Sequence, residues 1–202
     1  TVLYSAHIDV LQFLGFIKSV SLHLRVPAHV RQGMQAAGGE TGPLGAVVVG
    51  DALRERGNLL FADGEYEQAA TLYTEAIGTQ AASSTLLTMA LGNRAACWLS
   101  LAKKQPANTG HALLERCLAD CSTALATKPI VSDLKAKLVT RRAKAARRLC
   151  TCWLADARQE LQSHNWAAAV RYCDRALALT DRPPAAAFSL KGDALTKLAD
   201  FS

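Results

Sequence analysis

The 202-residue chain has few cysteines and no long apolar run, and each shortage excludes a class of protein. Six cysteines are too sparse for a disulfide scaffold, and no secretory leader is visible. A reducing, intracellular and hence cytoplasmic setting is the expectation. The most apolar stretch, Val10 to Ile17, is interrupted by Gln12 and closed by Lys18. It falls well short of the roughly 20 residues that cross a bilayer, so no membrane span is expected. The phosphate-cradling pattern Gly-x-x-x-x-Gly-Lys-Ser/Thr is missing. The histidines (His7, His23, His29, His111, His164) belong to no catalytic motif. Nothing in the chain reads as catalytic and no cofactor is implied; an enzyme would need a catalytic domain outside these residues.

What the chain does have is an apolar fraction of 50%, enough for a real core, and a net charge of +6. That charge is concentrated. Lys135, Lys137, Arg141, Arg142, Lys144, Arg147 and Arg148 face only Asp133 between Val131 and Leu149, and the remainder of the chain is balanced. A uniformly basic chain would suggest a diffuse nucleic-acid surface, whereas one basic segment points to a local anion site.

The chain opens on Thr1 and ends inside an apparent helix, and so reads as a fragment or trimmed chain. Residues 1–32 are expected to be a docking segment, in which 7–24 mix helical and strand signals. Residues 33–50 hold six of the thirteen glycines and read as a flexible linker. From Asp51 the pattern is helical almost throughout. Helices are predicted from Asp51 to about Ala62, Tyr66 to Gly78, Ser83 to Lys103, and from beyond Gly110 to about Thr127. Residues 132–163 contain neither glycine nor proline, which predicts one long helix, or two with a break near Cys150–Cys152. Trp166 to Leu179 and a last helix to the end complete an all-α set of antiparallel pairs.

The pairs are internally similar. The first carries Gly57, Leu60, Gly64, Tyr66, Ala69, Tyr73 and Ala76, with small residues where two helices must approach and large ones filling between them. A second copy runs through Asn93-Arg94-Ala95-Ala96-Cys97-Trp98, Cys117, Cys121, Ala124-Leu125 and Pro129. A third begins at Lys137 and resumes at Trp166, Ala169, Cys173 and Ala176, and Lys191-Gly192-Asp193 opens a truncated fourth. Over 51–202 this resembles a tetratricopeptide repeat (TPR) domain, with insertions near 104–113 and 149–163. The resemblance implies a superhelix whose first helices line a peptide-binding groove.

It also implies a site. TPR domains of co-chaperones hold the acidic C-terminal Glu-Glu-Val-Asp tail of cytosolic heat-shock chaperones in a carboxylate clamp. By motif, Arg54 and Asn58 match its first pair, Asn93 its middle position, and Lys137 with Arg141 its last pair. The chemistry suits these types: Lys and Arg supply charge-assisted hydrogen bonds to two close carboxylates, and asparagine amides donate without adding repulsion. Lys144 and Arg148 continue the Lys137/Arg141 face as a candidate extended anion stripe.

The resemblance implies a non-catalytic, co-chaperone-like adaptor whose partner is a chaperone tail or another protein. The alternative is a helical scaffold held in a large assembly. RNA binding through residues 135–148 is a third reading, against which stands the lack of aromatic residues interleaved with the cations. A metal on His111, Cys117 and Cys121 is not expected, because both cysteines fall on packing positions of the repeat. In Cys150-x-Cys152 the i,i+2 spacing makes the two side chains diverge on a helix. Trp98, Trp153 and Trp166 read as packing residues.

Overall fold

The computed structural model describes residues 43–79, 84–106, 109–128 and 130–200. The expected docking segment and the first ten residues of the expected linker lie outside these. The chain divides into two units between Gly42 and Pro43. The described residues form seven helices and no strand: α1 (Pro43–Ala62), α2 (Tyr66–Gly78), α3 (Ser84–Lys104), α4 (His111–Ala126), α5 (Ser132–Gln162), α6 (Trp166–Leu179) and α7 (Ala185–Asp200). Each packs on the next, giving three antiparallel pairs followed by a seventh helix.

Helix α1 starts at Pro43 rather than at Asp51, so residues 43–50 are helix and not linker. Proline is preorganised for the start of a helix, lacking only an N–H that would be unpaired there anyway. The glycine that made this stretch look flexible has a packing role. A Cβ on Gly50 would lie 2.7 Å from both Leu86 Cδ2 and Thr79 Oγ1, so its bare backbone lets α1 approach its neighbours. Gly57 does the same further along, where a Cβ would lie 2.7 Å from the Tyr73 ring.

The 31 residues of α5 form one unbroken helix, about 45 Å long, which resolves the choice left open by the sequence. Leu138, Ala145, Leu149, Cys152 and Ala157 form a buried stripe along nearly its whole length. The inserted segment near 149–163 is thus an extension of a helix already in place. Its register with α6 is restored by a turn that copies the first repeat. In the first pair, Glu65 N donates to Leu60 O (2.9 Å) and Gly64 N to Phe61 O (3.2 Å); in the third, Asn165 N donates to Glu160 O (2.9 Å) and His164 N to Leu161 O (3.2 Å). Both are Schellman caps, with Gly64 at φ 83° and His164 at φ 60°.

The core is built of small residues. Ala95, Ala102, Cys117, Cys121, Ala124, Cys152, Cys173 and Ala176 are fully buried, with Leu114, Leu138 and Leu149 filling between them. Beyond sequential neighbours, α1 also packs on α3, α3 on α5, and α5 on α7. In a curved stack the members of the inner layer lie closer together, so the odd helices form the inner face of this unit.

Candidate functional site

All the clamp candidates lie on that inner layer: Arg54 and Asn58 on α1, Asn93 on α3, Lys137 and Arg141 on α5. Asn93 Nδ2 donates to Asn58 Oδ1 at 2.9 Å, and the Tyr73 hydroxyl donates to the same oxygen at 2.8 Å. Asn58 Nδ2 donates to Glu55 Oε2 at 3.1 Å. The two amide oxygens and nitrogens are thereby assigned, and each asparagine keeps one further N–H to offer.

Arg141 Nη1 donates to the Gly92 carbonyl, immediately before Asn93. Gly92 makes the approach possible, since a Cβ there would sit 3.2 Å from Leu138 and 3.7 Å from Arg141 Nη1. A line of polar contacts therefore spans four helices, from Tyr73 on α2 and Asn58 on α1 through Asn93 on α3 to Arg141 on α5, the last link running through the Gly92 carbonyl. Lys137 stands one turn before Arg141, exposed and without an ion-pair or hydrogen-bond partner among the described residues. Arg54 differs. It is nearly buried, its Nε donates to Asp51 Oδ1 at 3.0 Å, and its Nη2 pairs with Glu55 Oε1.

The stripe residues divide as well. Lys144 is exposed and lines a hollow of about 450 Å³ with Arg147, Arg148 and Thr151. Arg148 Nη2 instead donates to Ala102 O (2.7 Å) and Gln105 O (3.2 Å), so it caps carbonyls at the C-terminal end of α3.

Two networks were not anticipated from the sequence. The nearly buried Asp120 receives Arg94 Nε at 2.9 Å and Nη2 at 2.7 Å, together with Trp98 Nε1 at 3.0 Å. Arg94 Nη1 also reaches Thr74 Oγ1 at 3.0 Å, so this ion pair fastens α2, α3 and α4. The signal was an aspartate set between Cys117 and Cys121 on a packing face, where an unpaired charge is not tolerated. Trp98 thus packs and donates at once. The second network is Tyr73 with Asn58, legible only once α2 is placed against α1.

His111 Nε2 lies 2.9 Å from Asp156 Oδ2, in the wall of a hollow of about 390 Å³ that Glu115, Trp153 and Tyr172 also line. Cys117 and Cys121 are fully buried, and no metal-holding group of His, Cys, Asp and Glu occurs among the described residues. All six cysteines are buried thiols. Burial pushes the Cys97 thiol up to about 12, an effect the neighbouring Arg141 charge partly offsets. Burial likewise raises the Tyr73 hydroxyl to about 12. No described helix is long and apolar enough to cross a membrane.

No family model matches this chain, and no curated protein matches it. Among solved structures it is similar to the Hsp90 co-chaperone Cns1 from Saccharomyces cerevisiae, at 18% identity and a TM-score of 0.34. That likeness covers 80% of this chain and 42% of the other, so this chain spans less than half the length of that protein.

Proposed function

We propose that the inner face of the helical repeat is a carboxylate clamp, and that the protein is a non-catalytic adaptor binding the acidic C-terminal peptide of a cytosolic heat-shock chaperone. The observation that carries this reading is the polar line from Asn58 through Asn93 to Arg141, with the unpaired Lys137 beside it. Two amides with spare N–H groups and two adjacent cations match a terminal α-carboxylate and the side chain of a final aspartate.

Titration of the full chain with a free-acid peptide ending Glu-Glu-Val-Asp tests the proposal. Lys137→Ala and Arg141→Ala are each expected to weaken binding by roughly tenfold or more, the loss of a charge-assisted hydrogen bond. Unchanged affinity in both variants would refute it.

One observation favours the scaffold reading. Helix α7 exposes Phe188, Leu195 and Leu198, an apolar face of a kind that suits contact with a further subunit. A stable complex from which the Glu-Glu-Val-Asp peptide displaces nothing would support that reading instead.

A further inference from the structure

We propose that Glu55 is a resident competitor of the groove: its carboxylate occupies, in the free protein, one Arg54 donor and one Asn58 donor that a ligand would otherwise use. The inference rests on the clamp reading and specifies how that site sets its affinity. One oxygen of Glu55 pairs with Arg54 Nη2 and the other accepts from Asn58 Nδ2 at 3.1 Å. A single carboxylate therefore bridges a cation and an amide, as an incoming ligand carboxylate would. Arg54 carries a second acid, Asp51, on its Nε at 3.0 Å.

Exposure orders these groups. The Arg54 side chain is 10% exposed and that of Glu55 is 63% exposed, so the guanidinium is sunk in the wall while its acid faces solvent. A ligand arriving from solution meets negative charge at this end of the groove. The other end is different: Lys137 has no partner among the described residues, and Arg141 is bonded to a backbone carbonyl rather than to an acid.

The two halves of the site are thus inequivalent. At α5 an incoming carboxylate adds a charge pair. At α1 it must exchange with a carboxylate tethered one residue from Arg54, whose effective concentration is high, so the exchange gains little. The Glu55 carboxylate itself faces solvent and can be rehydrated when it leaves, which keeps it displaceable. Ligands are therefore gripped at α5, and Glu55 penalises any whose upstream residues put further acid against α1.

A double-mutant cycle on the full chain tests this, by isothermal titration with the Glu-Glu-Val-Asp free acid and its C-terminal amide. Glu55→Gln is expected to tighten the free acid by about threefold to tenfold, from the freed donors and the removed repulsion. Arg54→Met is expected to cost less than about twofold in the wild type but about fivefold beside Glu55→Gln, a coupling that independent sites lack. Unchanged affinity in Glu55→Gln, with the wild type still preferring the free acid, overturns the competitor role and leaves the clamp standing. A wild type that does not distinguish free acid from amide overturns both. Should Arg54→Met fail to fold, Glu55→Gln and Glu55→Ala decide the question, since both must tighten the free acid.

Discussion

Asn93 donates to Asn58 across 35 residues of sequence, Nδ2 to Oδ1 at 2.9 Å, joining the first helices of two successive repeats at the inner face. With Tyr73 on the same oxygen, the Asn58 carbonyl is saturated and its amide group is fixed in orientation. This polar cluster is thus preorganised by the packing of α1, α2 and α3, which under the proposed clamp reading reduces what a ligand must order on binding.

The Asp120 network is expected to dominate local stability. Asp120→Ala leaves the half-buried Arg94 and the Trp98 indole N–H without their acceptor, and is expected to destabilise by about 3–5 kcal/mol. Chemical denaturation measures it. A loss below about 1 kcal/mol would mean that Arg94 finds another partner.

Arg148 and Lys144 are expected to separate by function although they share a helix face. Arg148→Met removes a charged donor from the Ala102 carbonyl of α3 and the Gln105 carbonyl just beyond it, and should lower stability by about 1.5–3 kcal/mol with little change in peptide affinity. Lys144→Ala, at an exposed position, should leave stability within about 0.5 kcal/mol. Thermal melts of the two variants, read beside peptide titrations, check both statements.

The cap at His164 is expected to be improvable. Its φ of 60° lies in the left-handed region, where the equivalent turn of the first repeat has Gly64. His164→Gly removes that strain, offset in part by losing the ring contact with Trp166 at 5.0 Å. A net gain of up to about 1 kcal/mol is expected from denaturation curves.

Cys97 and Tyr73 make stability fall at high pH. Cys97 and Tyr73 both stand near 12 in the fold, against ordinary values of 9.0 and 10.0. Between the ordinary and the raised value the unfolded chain has lost protons that the folded chain still holds, so rising pH favours unfolding. Tm should decline from about pH 9 toward pH 12, less steeply in Cys97→Ala. Thiol reagents at neutral pH should label the native protein slowly and the denatured protein at all six cysteines.

Much of this was legible in the residues because repeat packing is written in small side chains: Gly57, Ala69, Ala76 and Ala124 all mark close helix contacts. The start of α1 was not, because a glycine such as Gly50 looks alike in linkers and in tightly packed helices. Only the proximity of Leu86 and Thr79 tells the two apart. Helical spacing put Arg148 on the face of Lys137 and Arg141. It carried no information on which backbone carbonyls lie opposite that face. The pairing of Glu55 was hidden for a similar reason: adjacent residues on a helix diverge, and only the long Arg54 side chain closes the distance.

The clamp is tested most directly by its dependence on a single charge. Titrating the full chain with a Glu-Glu-Val-Asp peptide and with the same peptide amidated at its C-terminus compares two ligands that differ only in the terminal carboxylate. The free acid is expected to bind at least about tenfold more tightly, a preference lost in Arg141→Ala. Equal binding of the two peptides by the wild type would contradict the account.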